Sequence, residues 1–241
     1  MIYIFETKDY ELWRGDCLEL MHQIPKESID MILCDLPYGC TARNKLDDLI
    51  PFDKLWSLYH KIIKPNGAIV LNCQEPFSSK LIGSNITEFK YCYYWYKHQV
   101  SGFLNAKKQP LRNMEQIAVF YKKQPTYNPQ MKQGKMQLKN TNTVGSNNYN
   151  EFEAQPHMSD LYYPTQLIDI PLPRFKNGHP TQKPVPLLEF LIKTYTNNGD
   201  VVLDNCMGSG STGVAALNLG RKFIGIELNE DYYNMAKSRI A

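Results

Sequence analysis

The run Asp35-Leu36-Pro37-Tyr38, directly after the apolar stretch Ile29–Cys34, constrains this chain more than any other feature. Pro37 has a fixed φ and no backbone N–H, so a ladder cannot continue through it. The run therefore places a carboxylate, a backbone carbonyl and an aromatic ring at the end of a buried strand. A second strand, Val201–Leu203, ends in Asp204-Asn205-Cys206-Met207-Gly208-Ser209-Gly210, about 170 residues later. Any functional reading that uses both runs requires the fold to bring them side by side.

Apolar, β-branched or aromatic runs recur at 29–34, 67–72, 91–96, 115–121, 200–204 and 222–226, and Glu11–Arg14 reads as an earlier strand. Helical spacing over Phe52–Lys64, Leu187–Tyr195 and Asp231–Ile240 alternates with them, which predicts an α/β fold with a mostly parallel central sheet flanked by helices. At 241 residues the chain fits one large core with an appendage. The expected division is 1–121 and 179–241 as two halves of the core, with a loop-rich insertion at 122–178 where the periodicity dissolves.

Six cysteines (17, 34, 40, 73, 92, 206) show no C-x-x-C pair, so neither a metal site nor a disulfide framework is expected, only reduced thiols. The apolar runs fall short of the ~20 residues that cross a bilayer, and residues 1–14 lack a signal-peptide layout. The expectation is a cytoplasmic protein without a membrane partner.

Net charge is only +3, yet Lys97–Lys139 holds nine Lys or Arg against one acid, Glu115. Lys107, Lys108, Arg112, Lys122 and Lys123 are the candidate phosphate contacts in this stretch. The insertion interleaves bases with Tyr127, Tyr149, Phe152, Tyr162, Tyr163 and Phe175. Disordered segments are poor in aromatics, whereas surfaces that stack on bases combine the two.

The glycines of 208–210 open a strand-to-helix turn that lets a ligand approach the backbone. Glu227 ends the next strand, 23 residues after Asp204, at the spacing of a ribose-binding carboxylate. A nicotinamide dinucleotide fold would carry this turn at its first strand, with several further units after it; here only about 30 residues follow Gly210. The Lys-Ser/Thr pair of a phosphate-binding P-loop is missing after the glycines.

The order of these runs resembles the β-group of amino DNA methyltransferases, over nearly the whole chain. The family's catalytic tetrapeptide, Asp/Ser/Asn-Pro-Pro-Tyr/Phe/Trp, matches Asp35, Leu36, Pro37 and Tyr38, with Leu36 in place of the first proline. Its cofactor turn, Asp-Pro-Phe-x-Gly-Ser-Gly-Thr-Thr, matches Asp204 to Thr212, with Asn205 and Cys206 departing from it. A third match is His179-Pro180-Thr181-Gln182-Lys183-Pro184.

The resemblance implies a Rossmann-like methyltransferase fold with a target-recognition insertion, and S-adenosylmethionine as cofactor. It would be held by Asp16 at its adenine, Glu227 at its ribose, and Asp35, Thr181, Lys183, Asp204, Cys206, Gly208, Ser209, Gly210 and Thr212 around the rest. It also implies double-stranded DNA as partner, dimers in many members, and a cognate restriction endonuclease where the enzyme belongs to a restriction-modification system.

The lone pair of an exocyclic amine is delocalised into its base, so it must be localised before it attacks. The Asp35 carboxylate and Leu36 carbonyl would accept the two amine hydrogens, and Tyr38 would stack on a base extruded from the duplex. Ring-carbon methylation of cytosine uses a cysteine nucleophile, usually within a Pro-Cys pair, which this sequence lacks. The resemblance favours adenine N6, since Asp at the first catalytic position is more typical of adenine enzymes in that family. Cytosine N4, RNA, and a DNA-binding regulator without turnover are the alternatives.

Overall fold

A computed structural model describes residues 3–39, 48–139, 155–173 and 182–241. Among them the strands are β1 (Tyr3–Glu6), β2 (Tyr10–Arg14), β3 (Ile29–Cys34), β4 (Ile63–Cys73), β5 (Phe89–Ser101), β6 (Arg112–Phe120), β7 (Lys132–Lys139), β8 (His157–Tyr162), β9 (Leu167–Asp169), β10 (Val201–Asp204) and β11 (Lys222–Glu227). The helices are α1 (Cys17–Leu20), α2 (Phe52–Ile62), α3 (Phe77–Ser84), α4 (Val185–Tyr195), α5 (Ser211–Asn218) and α6 (Glu230–Ile240).

Two compact units form: Met1–Asn128 with Gln166–Ala241, and Pro129–Thr165. The first holds a nine-stranded sheet in the order β1-β2-β11-β10-β3-β4-β6-β5-β9. Its centre, β2-β11-β10-β3-β4, is parallel throughout. β6 runs antiparallel to both β4 and β5. The second unit contains the antiparallel pair β7-β8. The separate unit thus lies inside the expected insertion 122–178, while β9 pairs with β5 in the main sheet.

Strand alternation explains how one sheet carries two cores. On β3, Ile32 and Cys34 pack with Leu55, Tyr59 and Ile62 of α2 and with Phe77 and Leu81 of α3. Met31 and Leu33 face the other way, toward Leu187, Leu191 and Ile192 of α4, Ala215 of α5 and Ala236 of α6. The buried set Leu55, Leu58, Tyr59 and Ile62 follows the i, i+3, i+4, i+7 pattern of a helix packed on one side. α6 is capped by Asn229, which accepts from the Tyr232 N–H at 3.0 Å; acids fill its first turn and bases its last.

The core strands and long helices fall where the sequence predicts them. Three boundaries differ, one being the start of β6 at Arg112, ahead of the expected 115. β4 begins at Ile63 without a loop, because Ile63 pairs with Ile29 and a register shift absorbs the chain up to Ala68. β5 continues to Ser101, past the expected 96, because it pairs with β6 beyond the main sheet edge.

Candidate active site

The parallel centre of the sheet ends on one edge, where α/β folds of this kind bind ligands. Leu203 is level with Ile32, Asp204 with Gly225, and Glu227 with Arg14. That register gathers Gly15-Asp16, Glu227, Asp204 and Asp35 along the same edge. Contacts tie the second run to the strand that leads into Asp35 and to the helix packed on it. The Tyr59 hydroxyl donates to Asn205 Oδ1 at 2.6 Å, and the Cys34 thiol, one residue before Asp35, hydrogen-bonds with Cys206 and Asp204.

Both oxygens of Asp35 have partners. Oδ1 accepts from the Tyr38 hydroxyl at 2.6 Å, and Oδ2 accepts from Lys183 Nζ at 2.5 Å. Lys183 Nζ also lies 3.4 Å from Glu115 Oε2, and Glu115 Oε1 accepts from Lys97 Nζ at 2.9 Å. The result is a chain of alternating charges, Asp35, Lys183, Glu115 and Lys97, whose inner members are largely shielded from water. Burial alone would lower Lys183, but Asp35 and Glu115 outweigh it and raise its pKa. Burial would raise Glu115, but Lys183 and Lys97 hold its carboxyl below the usual range. Each charge is kept by its neighbours.

Leu36 is 3% exposed and packs in the helix-covered core, which fixes its backbone. The Tyr38 ring stacks on Phe77 with centroids 4.9 Å apart. Burial, and then Asp35, push the Tyr38 phenol well up, so it stays a hydrogen-bond donor.

The cofactor turn is braced from beneath. Asp204 is 3% exposed; its oxygens accept from the Thr212 hydroxyl at 2.6 Å and the Cys206 N–H at 3.1 Å. Burial pushes its pKa up to about 6, against those hydrogen bonds. Arg239 of α6 donates to the Ser209 carbonyl at 2.5 Å and to its hydroxyl at 2.8 Å. Glu227 accepts from the Gly208 N–H at 2.9 Å and the Asn229 N–H at 2.8 Å. Gly210, at φ +77, leaves no room for a side chain beside Ala236 and Ile240. Gly208, at φ +50, is different: a Cβ there would meet nothing within 4 Å, so open space lies over that backbone.

Several of the expected cofactor residues have partners within the protein. Lys183 is engaged by Asp35 and Glu115. Asp204 and Thr212 hold one another and the turn, and the Cys206 thiol is turned to Cys17 and Cys34. Asp16 is exposed and caps α1, accepting from the Leu18 N–H at 2.7 Å. Thr181 lies outside the described residues. The five candidate bases also divide. Lys107, Lys108 and Arg112 sit at the β5–β6 turn, whereas Lys122 and Lys123 follow the far end of β6, where Lys122 lies 3.9 Å from Glu88. Lys97 is 7% exposed and serves Glu115. Glu115 and Arg239 were not among the sequence candidates. Glu115 carried a signal, as the lone acid of a basic stretch; Arg239 carried none. No group of three or more His, Cys, Asp and Glu among the described residues is placed to hold a metal ion.

Residues 29–238 match the family model described as DNA methylase, and the chain belongs to that family. It is 31% identical to the DNA adenine methyltransferase YhdJ of Escherichia coli (strain K12), covering 94% of this chain and 81% of that protein. It is 27% identical to the type II methyltransferase M.HpaI of Haemophilus parainfluenzae, over 96% of this chain and 74% of that one. Among solved structures it is similar to the M1.HpyAVI-SAM complex, with a TM-score of 0.63 and 26% identity, covering 95% of this chain and 99% of that chain.

Proposed function

We propose that this DNA methylase transfers a methyl group from S-adenosylmethionine to the N6 amine of adenine in duplex DNA, by direct in-line transfer to an everted base. The observation that carries the reading is the junction of the Asp35 run with the Asp204–Gly210 turn on one sheet edge. The adenine preference is supported by the name of the Escherichia coli relative.

The residues present fit the donor. The uncovered backbone at Gly208 gives a ligand close access, and Glu227 is locked by two backbone N–H groups beside it. When bound, S-adenosylmethionine supplies an electrophilic methyl group on a sulfonium. Asp35, steadied by Lys183, accepts one amine hydrogen on a lone pair left by its present partners, and the Leu36 carbonyl accepts the other. The nitrogen is thereby pyramidalised and needs no covalent enzyme intermediate. Tyr38 stacks on the everted base, worth about 1–3 kcal/mol against the few that unstacking costs.

The unit Pro129–Thr165 is the target-recognition element in this reading. Lys107, Lys108 and Arg112 neutralise phosphates near the site. A cognate restriction endonuclease accompanies the enzyme, a proposal supported by the type II name of a relative. A homodimer is the assembly proposed from the sequence resemblance.

Incubation with tritiated S-adenosylmethionine and duplex DNA, followed by nucleoside chromatography, tests the reading. Label in N6-methyladenine is expected. Label in N4-methylcytosine, or transfer to RNA alone, overturns it.

A further inference from the structure

The turn between β5 and β6 presents two consecutive large apolar residues to water: Phe103 is 67% exposed and Leu104 fully so. Single exposed apolar residues are ordinary on a protein surface. This pair differs in three respects. It is held in a defined shape, since Gly102 at φ +90 starts a 3-10 turn closed by Asn105 N–H to Gly102 O at 2.9 Å and Ala106 N–H to Phe103 O at 3.1 Å. Its flanking sequence is basic: residues 98–114 include Lys107, Lys108 and Arg112 and no Asp or Glu, and on the adjoining strand Asp169 pairs with His98. Its position is tied to the active edge.

That last point follows from the register. Cys73, where β4 ends, pairs with Gln116, so Glu115 and everything before it on β6 runs past the edge that carries Asp35. Glu115 is linked to Asp35 through Lys183. Arg112 lies three residues further on, roughly 10 Å along the strand, and its guanidinium donates to Gln74 Oε1 at 3.3 Å, just beyond β4. The apolar tip therefore projects from the same end of the sheet as the catalytic tetrapeptide, with cations behind it.

Resting on the proposed base eversion, we infer that Phe103 and Leu104 form a wedge that enters the duplex beside the target adenine and fills the gap left by the everted base. Duplex DNA is the occupant because the cations behind the tip match phosphate, while an unstacked base step offers the apolar surface that Phe and Leu require. The wedge acts on the cost of opening the duplex and takes no part in the transfer itself.

The experiment compares wild type with Phe103→Ala/Leu104→Ala on two oligonucleotide duplexes carrying a target site located by mapping modified bases. One duplex is fully matched; the other has a mismatch opposite the target adenine, which is already poorly stacked. Both side chains are exposed, so cofactor binding is expected to be unchanged and serves as the control for folding. The double variant should lose about tenfold or more in single-turnover transfer on the matched duplex and regain most of it on the mismatched one, where extrusion is cheaper. Fluorescence of 2-aminopurine at the target position should rise with wild type and stay low with the variant on matched DNA. Equal loss on both duplexes, or no loss on either, overturns the wedge. Absence of transfer to adenine by wild type overturns the proposed function itself, and the wedge with it.

Discussion

Lys183 donates to Asp35 at 2.5 Å across 148 residues of sequence, and its ammonium is shared with Glu115. This brings the Lys of the His-Pro-Thr-Gln-Lys-Pro run onto the Asp35 carboxylate. An ammonium held between two acids has little freedom, so it limits the positions open to Asp35. In the proposed mechanism Glu115 is a positioning residue, acting on the amine only through Lys183.

Glu115→Gln should lower kcat by about 10- to 100-fold, the scale of a small misplacement of a reacting group, with the KM for S-adenosylmethionine nearly unchanged. Glu115→Asp should recover part of the loss. A change confined to KM would remove the positioning role. Because its neighbours lower the Glu115 pKa, the stability it contributes is present above about pH 4.5 and is lost as pH falls through the lower folded value. The stability difference between wild type and Glu115→Gln should therefore shrink in acid. Glu115→Leu, which leaves two buried ammonium groups short of a partner, should cost about 3 kcal/mol in urea unfolding at pH 7.

Asp204 gives the opposite pH dependence. Its folded pKa is raised from 3.8 to about 6, so ionising it opposes folding. Its contribution is most favourable below pH 3.8 and declines as pH rises to about 6, by roughly 3 kcal/mol for a shift of this size. Asp204→Asn lacks this titration, so the difference between the two proteins' urea midpoints should change from pH 4 to 7, with wild type losing ground as pH rises. Parallel curves would show that Asp204 titrates in the folded protein as it does when unfolded.

Arg239 holds the turn through Ser209 and Ser211 without facing the open space at Gly208. Arg239→Ala should raise the KM for S-adenosylmethionine by roughly tenfold, in line with the loss of hydrogen bonds from a charged donor, with a smaller effect on kcat. An unchanged KM would mean that the turn keeps its shape unaided.

The division of the basic stretch is testable by salt titration. Lys107→Ala/Lys108→Ala should weaken DNA binding and flatten its salt dependence by about 0.9 per lost phosphate contact. Lys122→Ala/Lys123→Ala, at the other end of β6, should leave the slope unchanged. The reverse result would move the DNA surface to the far edge of the sheet.

Much of this arrangement was legible in the sequence because it rests on local signals. Continuous apolar runs mark β3 and β10, proline and glycine end them, and helical spacing marks α2, α4 and α6. The partners of charged side chains were not legible. Lys183 matches a family run wherever its ammonium goes, and only the register that sets Glu115 beside Asp35 reveals its role. Asp204 reads as a presented carboxylate, but Thr212, eight residues onward in the first turn of α5, donates to it. Helix α3 and strand β1 were missed because α3 is short, with Ser and Gly within it, and β1 pairs only at the sheet margin, with exposed residues. The basic stretch read as one patch in sequence because charge counting ignores that β6 separates its two halves.

The most direct measurement of the central claim is methyl transfer by Asp35→Ala compared with wild type, alongside calorimetric binding of S-adenosylmethionine to both. Transfer should be abolished while cofactor affinity stays close to wild type, because Asp35 serves the amine and the turn at Gly208–Gly210 serves the donor. Equal transfer by the two proteins would contradict the account.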